Sequence, residues 1–109
     1  MIEIRLYTTA FGKNVFESWL DSLKDRRAQA RVAARLDRLV AGNFGDCKPV
    51  GGGVSELKID YGPGYRVYFA MVDQSHVLLL CGGDKRRQSA DIRRAIQYLK
   101  DYNQRRTKP

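Results

Sequence analysis

The sequence is poor in the residues that make small domains rigid or reactive by themselves. It has only 2 cysteines, Cys47 and Cys81, too few for the dense spacing of a disulfide scaffold, and both read as reduced thiols. Its 1 histidine, His76, falls in an expected turn, which excludes acid–base chemistry by paired imidazoles. Histidine, cysteine and carboxylate nowhere take up metal-ligand spacing, so neither a metal nor a cofactor is expected. No apolar run approaches the roughly 20 residues of a membrane span. No basic-apolar-small cleavage pattern opens the chain, and together these absences point to a soluble, cytoplasmic protein with no membrane partner.

What remains is a globular composition with an excess of one charge. A chain of 109 residues, 43% of them hydrophobic, suits one domain spanning 1–109, because a single core of this size buries enough surface to fold without staples. Lys and Arg number 20 against 12 Asp and Glu, a net charge of +8. Such an excess suits a polyanion such as nucleic acid, an acidic protein partner, or merely solvated helix faces.

Periodicity divides the chain into elements. Ile2, Ile4 and Leu6 alternate with Glu3, Arg5 and Tyr7, as in a strand with one face buried. Thr8 or Thr9 can cap a helix in which Val15, Phe16, Trp19, Leu20 and Leu23 recur at helical spacing. A second helix is expected from about Asp25 to Ala41, with Val32, Leu36, Leu39 and Val40 on one side and the arginines 27, 31, 35 and 38 elsewhere, a stripe to which no chemistry is assigned. Residues 42–53 hold five of the 10 glycines and Pro49, which predicts a mobile loop. Its triple glycine is no phosphate cradle, because no Gly-Lys-Ser/Thr follows and a strand comes next.

Three strand-like runs, Val54 to Asp60, Tyr65 to Val72 and Val77 to Cys81, then predict an antiparallel meander whose last run, apolar on both faces, is central and whose neighbours alternate. Ser89 can cap a closing helix built on Ile92, Ala95, Ile96, Leu99 and Tyr102. Arg105, Arg106 and Lys108 end the chain as a frayed basic tail over about 103–109. The order β-α-α-β-β-β-α is an α+β fold, an antiparallel sheet packed by helices.

Polar residues cluster on the meander. Glu56 and Lys58 stand two residues apart on one strand and Arg66 and Tyr68 on the next, so each pair shares a face, while Lys85, Arg86 and Arg87 follow Gly82 and Gly83. Cleaving RNA without a metal needs a base for the 2′-hydroxyl, cations for the phosphorane and an acid for the leaving oxygen. Lys58, Lys85 or Glu56 can serve as base, and Arg66 suits bidentate clamping of phosphate. The bland reading of the same residues is a cross-strand ion-pair ladder on a wet face.

The strings Val54-Ser55-Glu56-Leu57-Lys58-Ile59, Gly62-Pro63-Gly64-Tyr65-Arg66-Val67-Tyr68-Phe69 and Leu80-Cys81-Gly82-Gly83-Asp84-Lys85, followed by Gln88, Asp91-Ile92 and Ala95, resemble the RelE/ParE toxin superfamily. Within it they are most similar to the HigB-like branch, the addiction module killer proteins. The resemblance implies the same order of elements and a type II toxin–antitoxin toxin. Such toxins typically enter the ribosomal A site and cut messenger RNA. It implies a cognate antitoxin, commonly a helix-turn-helix protein, through which alone operator DNA would be met. It places the sheet arginine on Arg66, the basic residue after the last strand on Lys85 and the strand-end basic residue on Lys58. Where the best-known ribonuclease members carry extra lysines and a tyrosine or other acid, this chain has Glu56 and Asp91, the latter a candidate acid. Arg86, Arg87, Tyr68 and Gln88 are the expected RNA contacts. The alternatives within the superfamily are a ParE-like inhibitor of DNA gyrase and a non-catalytic co-repressor. The antitoxin is expected to be acidic, or to cover the cations of the sheet face.

Overall fold

In the computed structural model, which describes residues 1–107, the alternating and doubly apolar runs assemble into one five-stranded sheet. The elements in chain order are β1 (Glu3–Leu6), α1 (Val15–Ser22), α2 (Arg26–Val40), β2 (Cys47–Gly51), β3 (Val54–Ile59), β4 (Tyr65–Asp73), β5 (His76–Asp84) and α3 (Gln88–Thr107). A 3-10 turn at Lys85–Arg87 leads into α3. The spatial order is β1-β5-β4-β3-β2, with β1 parallel to β5 and the other neighbours antiparallel. The α+β architecture agrees with the sequence pattern, and it carries one strand more than expected.

That strand is β2, in the stretch expected to be a mobile loop. Gly51, Gly52 and Gly53 all take positive φ, so they make a tight reversal that side chains would resist, and Pro49 sits at the sheet edge where a missing N–H is tolerated. Arg35 of α2 holds the segment, donating to the carbonyls of Lys58, Phe44 and Asp46. One member of the arginine stripe is therefore structural.

Two helix starts differ from expectation because an Asx side chain stands immediately before the first turn. Asn14, not Thr8 or Thr9, caps α1 by accepting from the Glu17 N–H at 3.1 Å, while Thr8 is occupied in a bridge to Asn14. Asp25, where the second helix was expected to begin, caps α2 by accepting from the Arg27 N–H at 2.9 Å. Asp84 rather than Ser89 caps the entry to the closing helix, accepting from the Arg86 N–H at 3.0 Å. The tail is no frayed end at Arg105 and Arg106: α3 continues through them, and Arg105 bonds Asp101 at 2.8 Å and the Thr8 carbonyl. Lys108 lies outside the described residues.

Helices cover both faces of the sheet. Phe16 of α1 with Val32 and Leu39 of α2 pack on Leu57, Ile59, Val67, Phe69, Val77 and Leu79, each such burial contributing about 1.5–3 kcal/mol. Ala95 and Leu99 of α3 pack on Val54, Tyr68, Ala70, Leu78 and Leu80. β4 is accordingly buried on both sides from Arg66 to Ala70, not alternating. β1 also departs from simple alternation: Leu6 is exposed and Tyr7 is buried, its hydroxyl donating to Asp101 at 2.6 Å. Cys47 packs with the α1–α2 layer and Cys81 with the α3 layer, so the sheet separates the two thiols and neither is bridged. No helix among the described residues is long and apolar enough to cross a membrane.

The end of β5 fixes where α1 and α3 sit. A Cβ on Gly82 would overlap the Trp19 ring on one face, and a Cβ on Gly83 would overlap the Asp91 carboxylate on the other. Two adjacent glycines thus let a helix approach the strand from each side.

Candidate functional site

Strand register carries the polar residues into two rows on the α3 face. Lys48, Glu56, Tyr68 and Cys81 lie across β2, β3, β4 and β5 in one row, and Lys58, Arg66 and Gly83 form the next. The first turns of α3 cover the first row and the Gly83 end of the second, and leave the Lys58 end of the second row exposed. An open hollow of about 170 Å³, lined by Asp46, Cys47, Lys48, Glu56, Lys58 and Arg66, adjoins one of about 220 Å³ that reaches past Gly64 to Lys85, the two sharing Lys58 and Arg66.

Arg66 is the fixed point of this cleft. It is almost wholly buried, with Nε donating to Glu56 Oε1 at 2.6 Å and Nη1 donating to the Gly64 carbonyl at 3.1 Å, contacts that do not use Nη2. The other oxygen of Glu56 accepts from Gln88 Nε2 at 2.9 Å. Glu56 is thus a bracket with both oxygens occupied, buried like the arginine it holds, as a desolvated charge must be. The Gly64 carbonyl also accepts the Lys85 N–H at 2.9 Å, so a single backbone oxygen sets the spacing of Arg66 and Lys85. Gly64 has φ +83°, and a Cβ there would stand 3.3 Å from Arg66 Nη1.

Beneath the bracket lies a second polar layer. Asp91 is 1% exposed; its Oδ1 pairs with Arg94, while Oδ2 and the Tyr68 hydroxyl are buried with no hydrogen-bond partner among the described residues. Burial, reinforced by the Glu56 and Asp91 carboxylates, pushes the Tyr68 phenol well above its ordinary range, so it stays neutral. Burial first, then Asp91, raises the Cys81 thiol to about 12, leaving it without thiolate character at neutral pH.

Of the residues singled out from sequence, Lys58, Arg66 and Lys85 converge on the cleft, with Lys58 and Lys85 exposed. Glu56 and Gln88 stand behind Arg66. Tyr68 and Asp91 are inside the protein. Arg86 turns back onto Asp84 at 3.1 Å, holding that carboxyl below its usual range, and Arg87 faces the outer side of α3. Sequence reasoning missed Lys48, Asp60 and the Gly64 carbonyl. Lys48 was legible only if Gly51-Gly52-Gly53 had been taken as a hairpin turn, and a backbone oxygen leaves no residue-type signal.

Lys48, Lys58, Arg66 and Lys85 give the joined hollows four cations beside the two carboxylates Asp46 and Asp60, and chemically such a set can clamp a phosphate group, since arginine offers paired donors and lysine a point charge. Residues 18–101, which include every residue of the clamp, match the family model described as Phage derived protein Gp49-like (DUF891). An uncharacterized protein of Haemophilus influenzae (strain ATCC 51907 / DSM 11121 / KW20 / Rd) is 54% identical over 80 residues, covering 73% of this chain and 81% of the relative.

Proposed function

Because the chain belongs to the Gp49-like family of phage-derived proteins, a RelE/ParE-like toxin family of toxin–antitoxin systems, we propose that it is a HigB-like toxin that cuts messenger RNA on the ribosome. The observation that carries this reading is the meeting of Lys58, Arg66 and Lys85 at one open cleft, with Arg66 held by Glu56 and Gly64. A partner antitoxin follows from the family. Its helix-turn-helix character, its contact with operator DNA, the ribosome and the cytoplasmic setting belong to the proposal.

In this mechanism Arg66 and Lys85 hold the scissile phosphate and neutralise the charge that grows on its oxygens as the 2′-hydroxyl attacks phosphorus. Lys58, opposite Arg66 on the neighbouring strand, orients that hydroxyl or takes its proton; the P–O5′ bond breaks as the 2′-oxygen bonds phosphorus, leaving a 2′,3′-cyclic phosphate, and the departing 5′-oxygen takes its proton from water in the open cleft. Glu56 is a positioning residue, because both its oxygens are engaged with Arg66 and Gln88. Asp91 and Tyr68 lie too deep to touch RNA and support the cleft floor.

Primer extension on a defined message in a reconstituted translation reaction, with and without ribosomes, tests the reading. New 5′ ends should need ribosomes and fall about a hundredfold with Lys85→Ala, and likewise with Arg66→Ala. Lys58→Ala and Lys85→Ala carry the decision, since both side chains are exposed and their loss leaves the Glu56 bracket intact. Intact message with translation unaffected would overturn it and direct attention to gyrase supercoiling.

A further inference from the structure

A second concave feature lies on the solvent side of α3, away from the cleft. It is a shallow hollow of about 590 Å³, floored by Ala90, Ile96 and Tyr98 and rimmed by Arg87, Arg93 and Arg94, with no acidic side chain lining it. The floor is fixed in advance: Tyr98 stacks on Tyr7 with ring centroids 4.9 Å apart, and Ile96 packs beneath the Gly52 turn between β2 and β3. The inward side of the same helix turns carries Gln88 and Asp91, which hold the cleft from below.

We propose that this hollow receives a segment of the cognate antitoxin that presents an apolar side chain flanked by carboxylates. Charge complementarity selects the flanks, because Arg87 and Arg93, with Arg94 already paired to Asp91, border a patch of a chain that carries +8 overall. The apolar floor selects the centre; its one aromatic ring, Tyr98, already has a face on Tyr7, so the hollow offers no series of rings on which successive bases could stack. A partner seated here grips the first turns of α3 without filling the phosphate clamp. The inference rests on the family's toxin–antitoxin assignment and not on RNA cleavage, so message cutting stands or falls separately.

The test is fluorescence anisotropy of a labelled synthetic peptide, leucines at i, i+3, i+4 and i+7 with glutamates between, titrated with the full chain. Arg93→Glu should weaken binding about tenfold, while Arg27→Glu, the same charge change on exposed α2, should alter it less than about twofold. Unlabelled oligouridylate should not displace the peptide. Equal losses in both variants would reduce the attraction to bulk charge and overturn the proposal. So would absence of peptide binding, or oligouridylate binding that is itself abolished by Arg93→Glu, which would assign the hollow to RNA.

Discussion

The two faces of β3 and β4 solve the same burial problem in opposite ways. Towards α1 and α2 they present Leu57, Ile59, Val67 and Phe69, which need only fill space. Towards α3 they present Glu56, Lys58, Arg66 and Tyr68, of which all but Lys58 are just as buried. On the apolar face a substitution is felt as lost volume. On the polar face it is felt as an unpaired charge, and the net stability of the intact bracket is small because desolvation offsets attraction. The contrast teaches that the α3 face spends its interior on aiming one guanidinium, and the opposite face supplies the stability that permits it.

The sharpest way to break this contrast is Glu56→Ala. It strands Arg66 and should cost about 3–5 kcal/mol in urea unfolding, whereas the pair Glu56→Leu with Arg66→Met should restore most of that stability and still leave the clamp inactive. A double variant that cuts message would refute the division of labour. Next in size is Gly82→Ala, which drives a Cβ into Trp19 and should cost about 1–3 kcal/mol with cleavage per folded molecule preserved. Asp25→Ala removes the α2 cap on the apolar side and should lower stability by about 1 kcal/mol, again without touching cleavage. The smallest effect lies at the far end of the sheet, where the His76 side chain at 2.8 Å, then the Ser75 N–H, hold the Asp73 carboxyl down to about 2. That contribution is complete above the ordinary value of 3.8 and is lost as pH falls towards 2, so Asp73→Asn should flatten the acid limb of the stability curve there.

The apolar face was the more legible of the two. Alternating or continuous apolar runs placed β3, β4 and β5, and period-3.6 repeats placed α2 and α3, because burial of hydrocarbon leaves a trace along the chain. β2 left none, since Cys47-Lys48-Pro49-Val50-Gly51 contains a proline and a glycine that pairing tolerates only at an edge. The cleft was legible as far as side chains two residues apart share a face, which paired Glu56 with Lys58 and Arg66 with Tyr68; the cross-strand register that sets Lys58 opposite Arg66 leaves no such trace. The depth of Tyr68 and Asp91 depends on how closely α3 approaches Gly83, a tertiary distance with no local signature. Arg87 parted from Lys85 because a 3-10 turn intervenes and rotates it onto the outer side of α3.

The two outermost strands carry a consequence for a toxin released from its partner. β1 is four residues long with Glu3 and Arg5 facing solvent, and β2 is interrupted by Pro49 and by a register slip before Gly51. A stray strand finds no long, regular row of free amides and carbonyls at either margin. Both margins of the sheet in a free copy are therefore poor templates for edge-to-edge stacking into fibrils.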